Sequence, residues 1–253
     1  MMKVVFHPDF YQVYTGDPAA AAGRMEAIVR EINPHVEFVE AGCADHDEVA
    51  AIHTAAHIED VQREGLYPIA MLAAGGAVQA AEIGLTEPAL ALIRPPGHHA
   101  SADAAWGFCY FNNMAVAVTS LQRRGRIRTA YILDIDLHYG DGTVNILGDN
   151  PEVVVHNVEA MKRKNYLDEV RREMDACRAD LIGISAGFDN HRQDWGSVLE
   201  TGDYEEIGCL VAAAAGRNQG GCFALLEGGY NHDILGRNVL ALIHGMSGGM
   251  SPA

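Results

Sequence analysis

The sequence predicts an α/β protein whose mostly parallel sheet lies between two layers of helices. Short runs of β-branched and apolar residues recur along the chain, and they are continuous rather than alternating, as strands buried on both faces require. Segments with helical spacing and few helix breakers separate these runs. Because strand and helix alternate, we expect a doubly wound, three-layer α/β/α fold.

Seven strands and seven helices are predicted, in alternating order except for two successive helices at 56–83 and two successive strands at 130–156. No repeat, low-complexity tract or Pro/Ser-rich linker divides the chain, so residues 1–253 are expected to form a single domain. The strands are predicted at 3–6, 37–39, 89–93, 130–135, 153–156, 180–185 and 222–226, and the helices at 19–32, 56–63, 69–83, 113–123, 164–177, 204–217 and 232–244.

Composition excludes several classes of protein. A net charge of −16 is the wrong sign for binding nucleic acid through its phosphates. The most apolar stretch, 69–83, is interrupted by Gly75, Gly76, Gln79 and Glu82, so no membrane span is predicted. The N-terminus lacks the features of a secretory signal, and the 5 cysteines contain no CxxC pair. We therefore expect a cytoplasmic protein with reduced thiols.

Polar residues of the kinds that bind metals follow the strand at 130–135. Asp134, Asp136 and His138 alternate along the chain, which predicts that they lie on one face at the end of the strand. Burying two carboxylates and an imidazole is costly without a cation, and no Lys or Arg lies nearby in the sequence. Nitrogen and oxygen ligands suit Zn²⁺ or Fe²⁺ better than Ca²⁺ or Mg²⁺. A structural salt-bridge cluster is the alternative.

Three other strand ends carry polar groups, and ligands bind at the carboxyl ends of strands in such sheets. His98 and His99 follow an irregular Pro-Pro-Gly turn, which allows both to face one cleft. Asp189 is the natural third metal ligand, since catalytic zinc keeps three protein ligands. Tyr230 follows two glycines, and its hydroxyl would suit an oxyanion. Taken singly, each also fits a turn, a helix cap or surface packing.

The four motifs together resemble the histone deacetylase superfamily, including its acetylpolyamine amidohydrolase branch. The motifs RPPGHHA and LEGGY look most like the class II type, and the matching stretches are 92–143 and 181–231. By position, the resemblance implies three metal ligands, two histidines each held by a carboxylate, a transition-state tyrosine and a substrate tunnel. The metal ligands would be Asp136, His138 and Asp189; the catalytic groups His98 with Asp134, His99 with Asp141, and Tyr230; and the substrate-binding residues Gly107, Phe108 and Gly229.

The resemblance also implies an arginase/deacetylase-like fold and a chemistry. It implies a zinc-dependent amidohydrolase that removes an acetyl or short acyl group from a lysine or polyamine-type amine, with Fe²⁺ as a second candidate metal. His99 is our choice for the general base, and His98 is expected to act through electrostatics and orientation. The family often binds K⁺ beside Asp134, but Val154 stands where a serine hydroxyl is expected. We therefore do not predict a tight potassium site.

The chain departs from the family in the length of two loops. Only 50 residues separate His138 from Asp189, and the shortened part includes the loop that normally supplies one aromatic wall of the tunnel. The segment between His57 and Ile69, which forms part of the rim, is also short. The sequence thus predicts a compact variant whose site is either wider and shallower or completed by another subunit of a homo-oligomer.

Two other functions were considered. An arginase-like ureohydrolase shares the fold but needs further bridging aspartates near Asp189, and none precedes His191. A non-catalytic module that binds an acyl ligand or a metal would suit the shortened loops. The histidine pair and Tyr230 argue against such a module, since a binder needs no general base.

Overall fold

A computed structural model describes residues 1–248, in which seven strands form one entirely parallel sheet. Their spatial order is β2-β1-β3-β7-β6-β4-β5, so the second half of the chain builds the four adjacent strands β7, β6, β4 and β5. The strands are β1 (Met2–Phe6), β2 (Val36–Glu40), β3 (Ala89–Ala91), β4 (Ala130–Asp134), β5 (Val153–Asn157), β6 (Leu181–Ala186) and β7 (Gly221–Leu226).

Helices cover both faces of the sheet and give the three-layer α/β/α architecture. One group of helices packs around α4 and α5, and a second group packs around α8 and α9. The helices are α1 (Arg24–Ile32), α2 (His46–Val49), α3 (Ala55–Arg63), α4 (Tyr67–Gly84), α5 (Asn113–Arg123), α6 (Asp141–Leu147), α7 (Arg163–Ala176), α8 (Thr201–Asn218) and α9 (His232–Met246). None of them, within the described part of the chain, has the length and apolarity to cross a membrane.

The predicted fold class is confirmed, and each predicted strand and helix has a counterpart. The helix expected at 19–32 is wrong at its start, because α1 begins only at Arg24. Pro18–Ala20 forms a separate 3₁₀ turn, and Gly23 adopts a φ of 84°, which breaks the helical path. The short helices α2 and α6 were not predicted, since neither is long enough to show a hydrophobic period.

The central strands place the predicted site residues at one edge of the sheet. Strands β3, β7, β6 and β4 are neighbours and run in the same direction, so the segments after their carboxyl ends meet. Strands β4, β6 and β7 are buried at every position, as strands between two helical layers must be. The four sequence motifs therefore converge in space although more than 130 residues separate the first from the last.

Candidate active site

Asp136, His138 and Asp189 come together beyond the ends of β4 and β6. One ligand atom from each of them lies within 4.8 Å of the others. Strand β4 ends at Asp134, so strand alternation does not account for the positions of Asp136 and His138, which lie beyond the strand. Backbone hydrogen bonds shape this segment instead, because the Asp134 carboxylate accepts from the Asp136 N–H at 3.0 Å and the Asp136 carboxylate accepts from the His138 N–H at 2.9 Å.

These three side chains fit a tetrahedral metal ion. His138 Nδ1 is 3.2 Å from Asp136 Oδ1 and 3.2 Å from Asp189 Oδ2. Atoms bound to one zinc ion at about 2.0–2.1 Å lie about 3.3 Å apart. The buried Asp189 Oδ2 has no hydrogen-bond partner, which is costly for a carboxylate unless a cation contacts it. Within residues 1–248 this is the one group of metal-binding side chains with such spacing.

The electrostatics of the same three groups also favour a bound cation. The nearby carboxylates of Asp136 and Asp189 raise the pKa of His138 to about 10, because they stabilise its protonated form. Burial, together with the negative charge of Asp136, raises the pKa of Asp189 to about 6. Both shifts arise because negative charge is concentrated in a site shielded from water, and a metal ion would neutralise that charge.

The tandem histidines each hydrogen-bond to a carboxylate, in the pairs that the sequence predicts. His98 Nδ1 lies 3.1 Å from Asp134 Oδ2, and His99 Nδ1 lies 2.7 Å from Asp141 Oδ1. The turn that carries the histidines is fixed by Glu227, whose Oε2 accepts from the N–H groups of Gly97 at 2.7 Å and His98 at 3.3 Å. Glu227 directly follows β7, so the end of this strand holds the turn that follows β3.

The two histidines have opposite pKa shifts. Burial would lower the pKa of His98, but the carboxylates of Asp136 and Asp134 outweigh it and raise that pKa well above its ordinary value. Burial, reinforced by the positive charge of His98, lowers the pKa of His99 to about 4. The two shifts run in opposite directions, as is typical of a histidine pair in which one member acts through its charge and the other as a base.

The turn after β7 is held from two sides. On one side, the Gly228 N–H donates to Asp136 Oδ2 at 2.9 Å. On the other, the buried guanidinium of Arg24 donates to the carbonyls of Glu227 at 2.6 Å and Gly229 at 2.8 Å. Gly229 has a φ of 117°, a conformation that favours glycine. These contacts direct Tyr230 toward the metal ligands, and burial raises the pKa of its hydroxyl.

A small cavity of about 120 Å³ lies above the metal ligands. Gly107 has a φ of 59°, and a Cβ there would lie 2.4 Å from His99 Cδ2. Phe108, with a φ of 69°, is a non-glycine residue in the left-handed region, a strain typical of functional sites. The predicted residues that line the cavity are His98, His99, Gly107, Phe108, His138 and Tyr230.

The structure differs from the sequence-based expectations around this cavity. Gly228, rather than the predicted Gly229, lines it, and so do Pro96, Trp106 and Trp195. The expectation of a wider, shallower site, or of one completed by another subunit, stays a prediction. Sequence reasoning missed both tryptophans, although they are the 2 tryptophans of the chain and lie close to motif residues.

Comparison with known proteins agrees with this fold and site. Residues 35–169 match the model of the histone deacetylase domain. A probable deacetylase of Methanothermobacter thermautotrophicus is 30% identical, over 97% of this chain and 91% of that protein. Acetylpolyamine amidohydrolase 2 of Pseudomonas aeruginosa is 30% identical, over 62% of this chain and 55% of that protein. The crystal structure of the HDA15 HD domain superposes with a TM-score of 0.85 at 23% identity, covering 100% of this chain and 91% of that one.

The parallel sheet and the residues at its carboxyl edge define a deacetylase-like three-layer α/β/α fold. The family match over more than half of the chain, together with a 30% identical relative along nearly its whole length, settles the family. The chain belongs to the histone deacetylase family. Relatives described as deacetylases and acetylpolyamine amidohydrolases support a deacetylase activity.

Proposed function

We propose that the protein is a zinc-dependent deacetylase that hydrolyses a linear acetyl or short acyl amide of a lysine or polyamine-type amine. The observation that carries the proposal is the convergence of three metal-ligand side chains, two histidine–carboxylate pairs and one tyrosine around a single cavity. The naming of two relatives as acetylpolyamine amidohydrolases supports an acetylated amine as substrate.

Asp136, His138 and Asp189 would hold the metal. When bound, zinc supplies a Lewis acid that polarises the acyl carbonyl and lowers the pKa of water. The mixed carboxylate and imidazole set also suits Fe²⁺, which is the second candidate. The Asp136 and Asp189 carboxylates are oriented by the N–H groups of Gly228 and Leu137, so their positions are fixed before any ion arrives.

His99 is assigned as the general base. Its Nδ1–H donates to Asp141, which leaves Nε2 unprotonated and able to accept a proton from the attacking water. The lowered pKa of His99 keeps the ring neutral at pH 7, as a base must be. Nε2 then returns the proton to the departing amine nitrogen, so the C–N bond breaks with a neutral amine leaving. His98 stabilises the developing negative charge through its own positive charge.

Tyr230 is assigned to the oxyanion. Burial raises its pKa, so the hydroxyl stays protonated and can donate to the tetrahedral oxygen. One such donor contributes on the order of 3 kcal/mol of transition-state stabilisation. Phe108 and Gly107 lie at the cavity wall, where an apolar ring and an approachable backbone suit an aliphatic arm and its amide.

The test is acetate release by zinc-loaded protein from acetyl-lysine peptide and from acetylated polyamines. Tyr230→Phe is expected to lower kcat by about 100-fold, since it removes the oxyanion donor alone. Tyr139→Phe is the matched control, because Tyr139 is 51% exposed and lies outside the cavity lining. Chelation should abolish the activity, and returning Zn²⁺ or Fe²⁺ should restore it.

The same panel separates the alternatives. Equal loss in both tyrosine variants would contradict the assignment of Tyr230. Stoichiometric zinc binding without release from any substrate would move the interpretation to a binding module. Metal-independent release would overturn the assignment of Asp136, His138 and Asp189.

A further inference from the structure

Six of the aromatic rings that line the cavity form a circle with five pairs of neighbouring rings, and two of them are the unpredicted tryptophans. Successive ring centroids are separated by 3.8 Å, 6.0 Å, 6.1 Å, 4.0 Å and 6.1 Å. The circle closes along the chain, because its first and last members are separated by a single glycine. In order, the side chains of this aromatic circle are Trp106, His99, His138, Trp195, Tyr230 and Phe108.

Trp195 lies flat against Tyr230, with ring planes inclined by 25°. Its backbone is anchored on both sides. The carboxylate of Asp194 accepts from the N–H groups of Tyr230 and Asn231, each at 2.8 Å, and the N–H of Gly196 donates to the Asp189 carbonyl at 2.8 Å. The indole is nevertheless 52% exposed. An exposed indole in a fixed position is a ready contact surface for a ligand.

Trp106 is fixed in a different way. Its indole N–H donates to Asp141 Oδ2 at 2.9 Å, while Asp141 Oδ1 binds His99. Its ring also stacks on His99 at 3.8 Å, and His98 stacks on that imidazole at 4.0 Å. His99 is therefore held by two neighbouring rings and a shared carboxylate, and Trp106, at 55% exposed, separates it from solvent.

We propose that Trp106 and Trp195 determine substrate shape, selecting an acylated amine borne on an unbranched aliphatic arm, and that they position His99 and Tyr230. The proposal rests on the proposed deacetylase function. An unbranched methylene chain can pass through a circle of rings and contact their faces, whereas a ring or a branched carbon at the amine collides with them. In this chain the two indoles supply the apolar wall that the shortened loops do not.

The test compares two amides with the same number of arm carbons, N-acetylhexylamine and N-acetylcyclohexylamine. Zinc-loaded protein is expected to prefer the linear amide by about 100-fold in kcat/KM. Trp195→Ala should reduce that preference to about tenfold or less, whereas Trp195→Phe should keep most of it. Tyr139→Ala, which removes an exposed aromatic ring outside the cavity lining, should leave the preference unchanged.

The positioning role of Trp106 has its own readout. Trp106→Phe keeps a stacking ring but loses the N–H donor, so kcat should fall about tenfold while KM stays nearly constant. Trp106→Ala should lower kcat further and also raise KM. If both Trp106 variants change KM alone, the residue does not position His99, and that part of the proposal is overturned.

A binding experiment tests the selection by the two indoles without requiring hydrolysis. The chain has 2 tryptophans and both belong to the aromatic circle, so tryptophan fluorescence reports on the site alone. Tyr230→Phe protein, with and without zinc, is titrated with N-acetylhexylamine. Adding Trp195→Ala to this background should weaken binding at least about fivefold, followed through Trp106.

These outcomes distinguish the two proposals. Binding that discriminates the linear from the cyclic amide, with no hydrolysis by the wild type, would overturn the deacetylase function and leave the selection by the indoles intact. Normal hydrolysis with the same linear-to-cyclic ratio in Trp195→Ala would overturn the selection and leave the deacetylase function intact. An equal loss of preference in Tyr139→Ala would also overturn it, since general loosening of the rim would then explain the effect.

Discussion

Gly228 is the residue at which the metal-ligand set allows no side chain. A Cβ at this position would lie 2.6 Å from Asp136 Oδ2 and 2.7 Å from Asp189 Oδ2. Its N–H meanwhile donates to that same Asp136 oxygen. The backbone of the turn after β7 thus closes one side of the proposed metal site. The chain needs glycine here because the backbone lies against the two carboxylates, and not because of an unusual φ.

We predict that Gly228→Ala weakens zinc binding by about 10- to 100-fold, because the methyl group displaces both carboxylates among the three ligands. Zinc content after dialysis and a competition titration with a chelating dye measure the effect. Gly202→Ala is the matched control, since nothing lies within 4 Å of a Cβ there. Unchanged affinity in Gly228→Ala, with the protein folded, would show that the ion binds elsewhere.

Single residues also show where sequence reasoning succeeds and fails. The pairs His98–Asp134 and His99–Asp141 could be predicted because the motif spacing and the family resemblance identify both partners. The contact between Trp106 and Asp141 could not, because an exposed indole has no periodic pattern and its position depends on the path of an irregular loop. Trp195 escaped prediction for the same reason.

At the scale of elements, α8 and α9 approach closely enough for their backbones to touch. A Cβ on Gly245 would lie 2.0 Å from the Glu205 carbonyl oxygen, and one on Gly208 would lie 2.7 Å from the Leu242 carbonyl oxygen. The two glycines therefore face the partner helix at the contact. Because α9 begins two residues after Tyr230, this packing also fixes the turn that carries the tyrosine.

Gly245→Ala is expected to destabilise the fold by about 1–3 kcal/mol, since the methyl group must push two helices apart. Gly216→Ala, on the exposed side of α8 with nothing within 4 Å of its Cβ, should instead stabilise it by about 0.5–1 kcal/mol through the lower entropy of the unfolded chain. Urea unfolding of both variants measures the difference. Equal effects of the same sign would refute the close approach of α8 and α9.

At the scale of the whole molecule, the hydrophobic pattern was enough to predict the architecture. Seven short apolar runs predicted all seven strands, and the central strands β3, β4, β6 and β7 are buried at every position, as strands covered on both faces must be. The hydrophobic pattern could not predict the strand order or the residue at which α1 begins. Residues 19–23 are apolar or small enough for a helix, but the buried guanidinium of Arg24 bonds to the Ala19 carbonyl, which keeps that segment outside the helix.

His53 is a buried histidine beside the segment that carries the tandem histidines. Its Nε2 accepts from the Asn112 N–H at 2.9 Å, and the Asn112 side chain donates to the Ala100 carbonyl and to Thr143. Burial, reinforced by the nearby imidazole of His57, lowers the pKa of His53 to about 4. The neutral ring is thus part of the packing that joins the tandem-histidine segment to α6.

The sign of the pH effect follows from this lowered pKa. Between the ordinary value of 6.5 and the folded value of about 4, the unfolded chain binds a proton on His53 that the folded chain does not. The free energy of unfolding therefore falls as the pH falls through this window, by up to about 3 kcal/mol from this residue alone, and the contribution is constant above it. We predict that His53→Gln, which keeps an acceptor for Asn112, has a shallower loss of stability between pH 6.5 and pH 4.5 than the wild type.

Urea unfolding across this pH range measures both slopes, and Gly216→Ala serves as the non-titrating control whose difference from the wild type should not vary with pH. Parallel curves for His53→Gln and the wild type would show that His53 takes up its proton in the folded state, which its burial against Phe111 and His57 opposes.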